Sequence, residues 1–331
     1  MSGADSYTGV HFFQFHIFAL DDGETVARNT FYLHPGRGSF ILSANEAGRC
    51  LPRKANLMTQ KPLEIADLLA TLRARHPLVH NITNYVVMNS TANALLALGA
   101  SPIMAHAIEE VEELVGISGA LVINIGTLSK PWIEAMFKAG VCARTKHVPV
   151  VLDPVGAGAS RLRTDTARAL LKQVHPAILR GNASEILALG ADAIGGARGV
   201  DAQHTVAQAH QAAVTLATTH GMVVAVTGVE DYVTDGRREA RIRNGHPLMA
   251  RVTGTGCAAS AVTGAFAAVE PDAFQAAVAA LVVFGLAGEW AAQHAQHPGS
   301  YGIALLDGLD AVTPESVRTG ARFEMAEIVP S

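Results

Sequence analysis

From Pro62 onward, short runs of consecutive apolar residues alternate with longer segments in which apolar residues recur every three or four positions. PLVHNI, ALVINI, VPVVLD, PAILR and MVVAVT have the length and continuous hydrophobicity of strands buried on both faces. Between them, Tyr85 to Leu98, Ile108 to Ile117, Pro131 to Lys138, Thr164 to Val174 and Ala202 to His220 have helical periodicity, several ending near a glycine. This alternation predicts stacked βα units: an α/β fold, single domain, with a central, mainly parallel sheet flanked by helices. YVTDGRREARIR adds a hairpin turning at Asp235-Gly236, and after Gly256 the chain reads as nearly all helix. The apolar run from Ala276 to Gly288 falls short of the roughly 20 residues a membrane span needs and is flanked by Gln275 and Glu289. It predicts a buried helix.

The stretch before about Asn56 has another character. FFQFHIFAL is aromatic-rich, no helical period persists, and Gly, Arg and Pro clusters interrupt it. It lacks the basic start and clean apolar core of a secretory signal, and Asp5, Asp21, Asp22 and Glu24 argue against a mitochondrial presequence. Residues 1–57 are therefore expected to be an extension, disordered or not native, with Met58 as an alternative start and a folded domain spanning 58–331.

Composition narrows the function. With 49% hydrophobic and 16% charged residues in 331, the chain has the means for a large buried core. A formal net charge of −4 with no long Lys/Arg block disfavours nucleic-acid and anionic-membrane partners, which leaves small-molecule chemistry. Cys50, Cys142 and Cys257 are too scattered for a disulfide framework or a thiolate metal site, so a reducing cytoplasm is the expected location. The histidines show no HExxH or similar metal spacing.

In an open parallel sheet, ligands bind beyond the carboxyl ends of the strands. VLDPVGAG puts Asp153 at one strand end, LRGNASEI puts Arg180, Asn182 and Glu185 at a second, and VAVTG puts Thr227 and Gly228 at a third. RVTGTGCAASAVTGAF then delivers the chain through Gly254 and Gly256 into a helix beginning near Cys257. Its first turn offers unpaired N–H groups and a partial positive charge, a ready site for phosphate. Two acids for Mg2+, a guanidinium, a hydroxyl and this turn compose a phosphoryl-transfer site, which needs charge neutralisation and alignment more than covalent chemistry. Each residue also has a structural alternative. Asp153 before proline fits a turn, Asn182 fits a helix cap, and Glu185 three residues later completes a capping box. Arg180 fits a surface ion pair, Thr227 a turn hydroxyl, and Cys257 a small buried thiol.

DPVGAG, RGNASEI, AVTG and GTGC, in this order and at these separations, resemble the hydroxyethylthiazole kinases of the ribokinase-like superfamily, as does HNITNYVVMNSTANALLALGASPIMA from His80 to Ala105. The resemblance runs from about Pro62 to near the C terminus. It implies ATP- and Mg2+-dependent phosphorylation of the hydroxyl of 4-methyl-5-(2-hydroxyethyl)thiazole, in thiamine salvage and thiamine diphosphate biosynthesis, by a homotrimer with sites at subunit interfaces. Carried over residue by residue, it implies Met104 and Gly254 at the thiazole alcohol, Arg180 and Thr227 at ATP, and Asp153 and Glu185 near Mg2+ and phosphate. The first 57 or so residues have no counterpart in that pattern. A GxxxxGK[ST] phosphate loop is absent from the sequence, as in that superfamily, which assigns anion binding to the glycine turn.

The thiazole kinases resemble this chain in having Cys where the related sugar kinases carry the Asp that acts as base, so Cys257 is the candidate catalytic base. A thiol titrates near pH 8.5 and a helix N-terminus lowers this, while nearby phosphates oppose it. Three rivals fit less well. Ribokinase-like dehydratases resemble the sugar kinases in keeping Asp at this position, a cysteine hydrolase has no His-Asn or His-Asp partner in local sequence, and a non-catalytic nucleotide-binding module leaves the two acids and the arginine without a purpose.

Overall fold

The computed structural model describes residues 65–194 and 202–328. The segment read as an extension, with Met58, lies outside these residues. In chain order the elements are α1 Ile65–Arg75, β1 Leu78–Ile82, α2 Met88–Leu98, β2 Ser101–Met104, α3 Val111–Ile117, β3 Ala120–Asn124, α4 Lys130–Thr145, β4 Val150–Asp153, α5 Arg161–Val174, β5 Ile178–Asn182 and α6 Ala183–Ile194. There follow α7 Ala202–His220, β6 Val223–Thr227, β7 Asp231–Thr234, β8 Arg238–Ile242, a short 3-10 turn Pro247–Arg251, α8 Thr255–Ala267, α9 Ala273–His294, α10 Pro298–Ala311, α11 Pro314–Gly320 and β9 Phe323–Glu327.

The predicted apolar runs form the strands, and their side chains divide between two cores. Val79, Val122, Val151 and Ile178 face α1, α2, α8, α9 and α10. Leu121, Ile123, Leu152 and Leu179 face the layer of α3, α4, α5, α6 and α7. This is the period-two alternation of strands covered on both sides. The strand order is β2-β1-β3-β4-β5-β6-β7-β8-β9, parallel from β2 to β6 and antiparallel from β6 to β9. All the parallel strands therefore point their carboxyl ends the same way.

The predicted hairpin is β7–β8. Gly236 takes φ +86°, while the Asp235 carboxylate accepts from the N–H groups of Arg237 and Arg238 at 2.9 and 2.7 Å. The apolar run from Ala276 lies within α9, which is long and apolar enough to cross a membrane, but 78% of its most apolar window is buried in the protein. Two strands escaped the sequence reading. SPIM is four residues and contains Pro102, a combination tolerated because β2 is an edge strand. FEMAE, which follows Gly256 in what was read as nearly all helix, has an exposed, glutamate-rich face and so no hydrophobic strand signature. It pairs with β8 through the backbone, and Glu324 meets Arg243 at 2.8 Å. α4 also runs past the expected end at Lys138 to Thr145, with Gly140 inside it, where a Cβ would collide with Val174 Cγ2.

Candidate active site

Parallel pairing sets the first part of the site. β3 and β4 run in register, with Asn124 beside Asp153 at their carboxyl ends. Asn124 donates through Nδ2 to Asp153 Oδ2 at 2.8 Å, and Ser260, one helical turn beyond Cys257 in α8, donates to the same oxygen at 2.8 Å. Arg180 Nη1 on β5 stands 3.8 Å from it. Asp153 is 0% exposed, and its Oδ1 has no hydrogen-bond partner. Burial is the main reason its carboxyl titrates high, at about 6. Arg180 opposes that rise, Glu185 adds to it, and Ser260 and Asn124 oppose it.

Arg180 joins the next two strand ends. Its Nη2 donates to Thr227 Oγ1 on β6, while its Nε has no partner. The guanidinium also lies against the start of α8, where a Cβ on Gly256 would fall 2.9 Å from Nη1. A larger residue at 256 would push the guanidinium away from the helix start. Gly254 caps α8 at φ +84°, a left-handed conformation that favours glycine, and a Cβ there would fall 2.6 Å from Val87 Cγ1. The helix begins at Thr255, two residues earlier than expected, so Cys257 sits in its first turn.

Glu185 realises the capping box weighed in the sequence. Its Oε2 accepts from Asn182 N at 2.8 Å while Asn182 Oδ1 accepts from Glu185 N at 2.9 Å. The second carboxylate oxygen reaches across to accept from Gly156 N at 2.9 Å, tying the start of α6 to the loop after Asp153. One residue thus serves as a cap and as a link between two site loops.

Cys257 is part-buried, and Asn84 Nδ2 approaches its sulfur at 3.5 Å. Asn84 Nδ2 also donates to Asn124 Oδ1 at 2.9 Å, so the thiol and Asp153 share one amide network. The expected downward pull of the helix start is outweighed: burial, reinforced by Asp153, pushes the thiol up to about 11, against the opposing effects of Asn124, Asn84 and Arg180. Asn84, Asn124 and Ser260 were not singled out in the sequence, although Asn124 ends ALVIN at the place where Asp153 ends VVLD. Asp231 was also missed. It accepts from Gly228 N at 2.9 Å, and burial raises its carboxyl to about 6 against the pull of that N–H and of Arg180.

Met104, half-buried, ends edge strand β2, with β1 and β3 between it and the strand of Asp153. A groove of about 540 Å3 along Thr218, Met222, Asp235, Arg237, Arg238 and Asp272 lies at the opposite end of β6 and contains none of the predicted site residues.

A parallel sheet with acid, guanidinium and hydroxyl on successive strand ends, facing a glycine-initiated helix start, defines a phosphotransferase of the ribokinase-like α/β class. The fold matches the pyridoxal kinase from Staphylococcus aureus in complex with ADP at a TM-score of 0.54 and 15% identity, covering 76% of this chain and 99% of that one. The hydroxyethylthiazole kinase from Pyrococcus horikoshii OT3 matches at a TM-score of 0.74 and 46% identity, covering 80% and 99%. The sequence profile of the hydroxyethylthiazole kinase family matches residues 69–315. Hydroxyethylthiazole kinases of Desulfotalea psychrophila and Granulibacter bethesdensis are 51% and 54% identical over 267 and 273 residues, 81% and 80% of this chain and 97% and 99% of theirs. The chain belongs to the hydroxyethylthiazole kinase family.

Proposed function

We propose that this protein transfers the γ-phosphoryl group of ATP to the hydroxyl of 4-methyl-5-(2-hydroxyethyl)thiazole, giving the phosphate ester used in thiamine salvage and thiamine diphosphate biosynthesis. The observation that carries this reading is the junction of Asp153, Arg180, Thr227 and the Gly254–Cys257 turn, which brings anion-binding and acidic groups from three strand ends to one helix start. Family membership supports the substrate.

The residues present suit Mg2+. Asp153 keeps one buried oxygen free of hydrogen bonds, and Mg2+ takes one or two carboxylates together with waters and substrate phosphates rather than a full protein cage. Asp153 and Glu185 would hold the ion, directly or through water, and when bound it would neutralise phosphate charge. Arg180 and Thr227 pair with phosphate oxygens, and the N–H groups at the start of α8 orient the transferring group. Met104 and Gly254 position the thiazole alcohol. Cys257, in its thiolate form, takes the hydroxyl proton as the alcohol oxygen attacks the γ-phosphorus and ADP leaves, and Asn84 favours the sulfur's charged form through its N–H.

The domain assignment carried forward is residues 58–331. N-terminal sequencing of the protein from its natural host tests it, since a mature chain starting at Ser2 excludes Met58 as the native start. The protein is assigned to the cytoplasm as a homotrimer, a reading supported by the free thiols of Cys142 and Cys257 and by the 64% exposure of Tyr85 and Val86, which follow the site residue Asn84. Light scattering on the purified protein tests the subunit number, and a monomeric mass excludes the trimer. Incubation with ATP, Mg2+ and the thiazole alcohol, followed by mass spectrometry, is expected to yield the phosphate ester. Product from another alcohol but none from the thiazole overturns the substrate assignment and leaves the kinase assignment standing.

A further inference from the structure

Arg163, a residue that the sequence did not single out, makes three hydrogen bonds at the carboxyl edge of the sheet, all to carbonyl oxygens. Nη1 donates to Ile125 O at 3.1 Å and to Val155 O at 2.6 Å, and Nη2 donates to Gly126 O at 2.6 Å. Ile125 follows Asn124, and Val155 lies two residues after Asp153, so the guanidinium spans the points where two site residues leave their strands. The fit is close. A Cβ on Gly156 would stand 3.1 Å from Arg163 Cδ and Nη1, at a residue with φ +74°. Local helix energetics do not ask for a cation here. Arg163 is in the first turn of α5, with Arg161 and no acidic residue, where the helix dipole disfavours positive charge. The planar fork serves the tertiary structure, because it reaches two loops at once as a lysine ammonium does not.

We propose that Arg163 is a positioning residue for phosphoryl transfer: its guanidinium fixes the loops after β3 and β4 to one another and so holds Asn124 and Asp153 in register beside the thiol of Cys257. Glu185 accepts from Gly156 N, the N–H of the same peptide unit whose carbonyl, Val155 O, Arg163 holds, so the Val155–Gly156 peptide is fixed from both of its polar ends. Arg180 and Thr227 stand on β5 and β6, which Arg163 does not touch, so its loss separates the chemical step from nucleotide binding. The inference rests on the phosphotransferase reading above.

The test compares Arg163→Gln and Arg163→Lys with the wild-type full chain, assayed with ATP, Mg2+ and the thiazole alcohol at a temperature where circular dichroism shows each to be folded. Both variants are expected to lose about 10-fold to 10²-fold in kcat, the scale of a misplacement near 1 Å, while KM for ATP stays within about twofold. Calorimetric binding of a non-hydrolysable ATP analogue, a readout independent of turnover, is expected to be unchanged. If the Gln variant does not fold, the Lys variant carries the test alone, since it keeps the charge and most of the stem but spans one loop. A folded variant with wild-type kcat, or a loss that appears as weaker ATP binding, overturns the inference. A wild-type protein that makes no phosphate ester from the thiazole or from any other small alcohol sinks the phosphotransferase reading and this inference with it, whereas an active wild type with an equally active Gln variant sinks this inference alone.

Discussion

The carboxyl edge of the parallel strands and the antiparallel ribbon β7–β9 are both rich in charge, but they treat it oppositely. In the ribbon, Arg238 pairs with both oxygens of Asp272 at 2.7 and 3.0 Å and with Asp235 at 2.7 Å, and Arg243 reaches Glu230 and Glu324, each at 2.8 Å. These groups are half-buried or exposed, and their hydrogen bonds are made. At the carboxyl edge Asp153 is fully buried with an unpartnered oxygen, Arg180 is 8% exposed with an unpartnered Nε, and the Cys257 thiol titrates high. Unsatisfied buried polar atoms cost stability, so a fold keeps them where a ligand completes them. The ribbon is finished without a ligand; the strand ends are not.

Substitutions at four positions would break or sharpen this contrast. The largest effect is expected at Cys257. Cys257→Ala should lower turnover by roughly 10² to 10⁴, the span of a general base, with ATP affinity near wild type because the glycine turn remains. Burial lifts the thiol to about 11, so the wild-type rate should climb through the alkaline range without a plateau near pH 9. Cys257→Asp, already ionised at neutral pH, should retain substantial activity and lose that climb. Near-normal turnover of the Ala variant with an unaltered pH profile removes Cys257 from the chemistry.

Arg180→Ala should weaken ATP use by about 1.5 to 3 kcal/mol in kcat/KM, the worth of a hydrogen bond to a charged group, with little change toward the thiazole. Unchanged ATP kinetics would take Arg180 out of the nucleotide site. Asp153→Asn separates function from stability. The folded carboxyl titrates at about 6 against 3.8 when unperturbed, so the native state holds the extra proton between these values. The group's favourable contribution is present in acid and fades as pH rises through 6. The amide variant should therefore melt higher at neutral pH, by a free energy on the order of 3 kcal/mol, and flatten the fall in stability between about pH 4 and 6. Its Mg2+ requirement should rise. A variant that melts lower at neutral pH and keeps the Mg2+ response would make Asp153 structural. The smallest effect is expected in the ribbon, where Arg243→Ala should leave turnover unchanged and barely move the melting temperature, because exposed ion pairs compete with water. A clear loss of activity there would contradict the division drawn between the regions.

What was legible in the chain follows from where the physics is local. ALVINI and VVLD had to be buried strands, because their apolar runs suit a sheet covered on both faces. Asp153, Arg180 and Thr227 could be placed because they end such runs. FEMAE carried no such signal, since its pairing is a matter of backbone and of Glu324 finding Arg243 across 81 positions of sequence. Asn84 and Ser260 were hidden for the same reason: an amide after a strand and a serine inside a helix acquire meaning only when α8 lies across β3 and β4. The thiol's upward shift was missed because the helix start is visible in sequence and the surrounding desolvation is not.

The glycine at 264 gives α8 a mechanical property. The helix passes so close to the sheet there that a Cβ would stand 2.6 Å from Val122 Cγ2. Nine residues separate it from the start at Thr255, about 13 Å of rigid rod, so a tilt of about five degrees about that pivot swings the tip through about 1 Å. A methyl group added at Gly264 is therefore geared onto the reacting atoms without touching them, and displacements of that size cost about 10² in rate. Turnover of Gly264→Ala measures the leverage, and a folded variant with full activity would show that the rod yields at the pivot instead of passing the motion on.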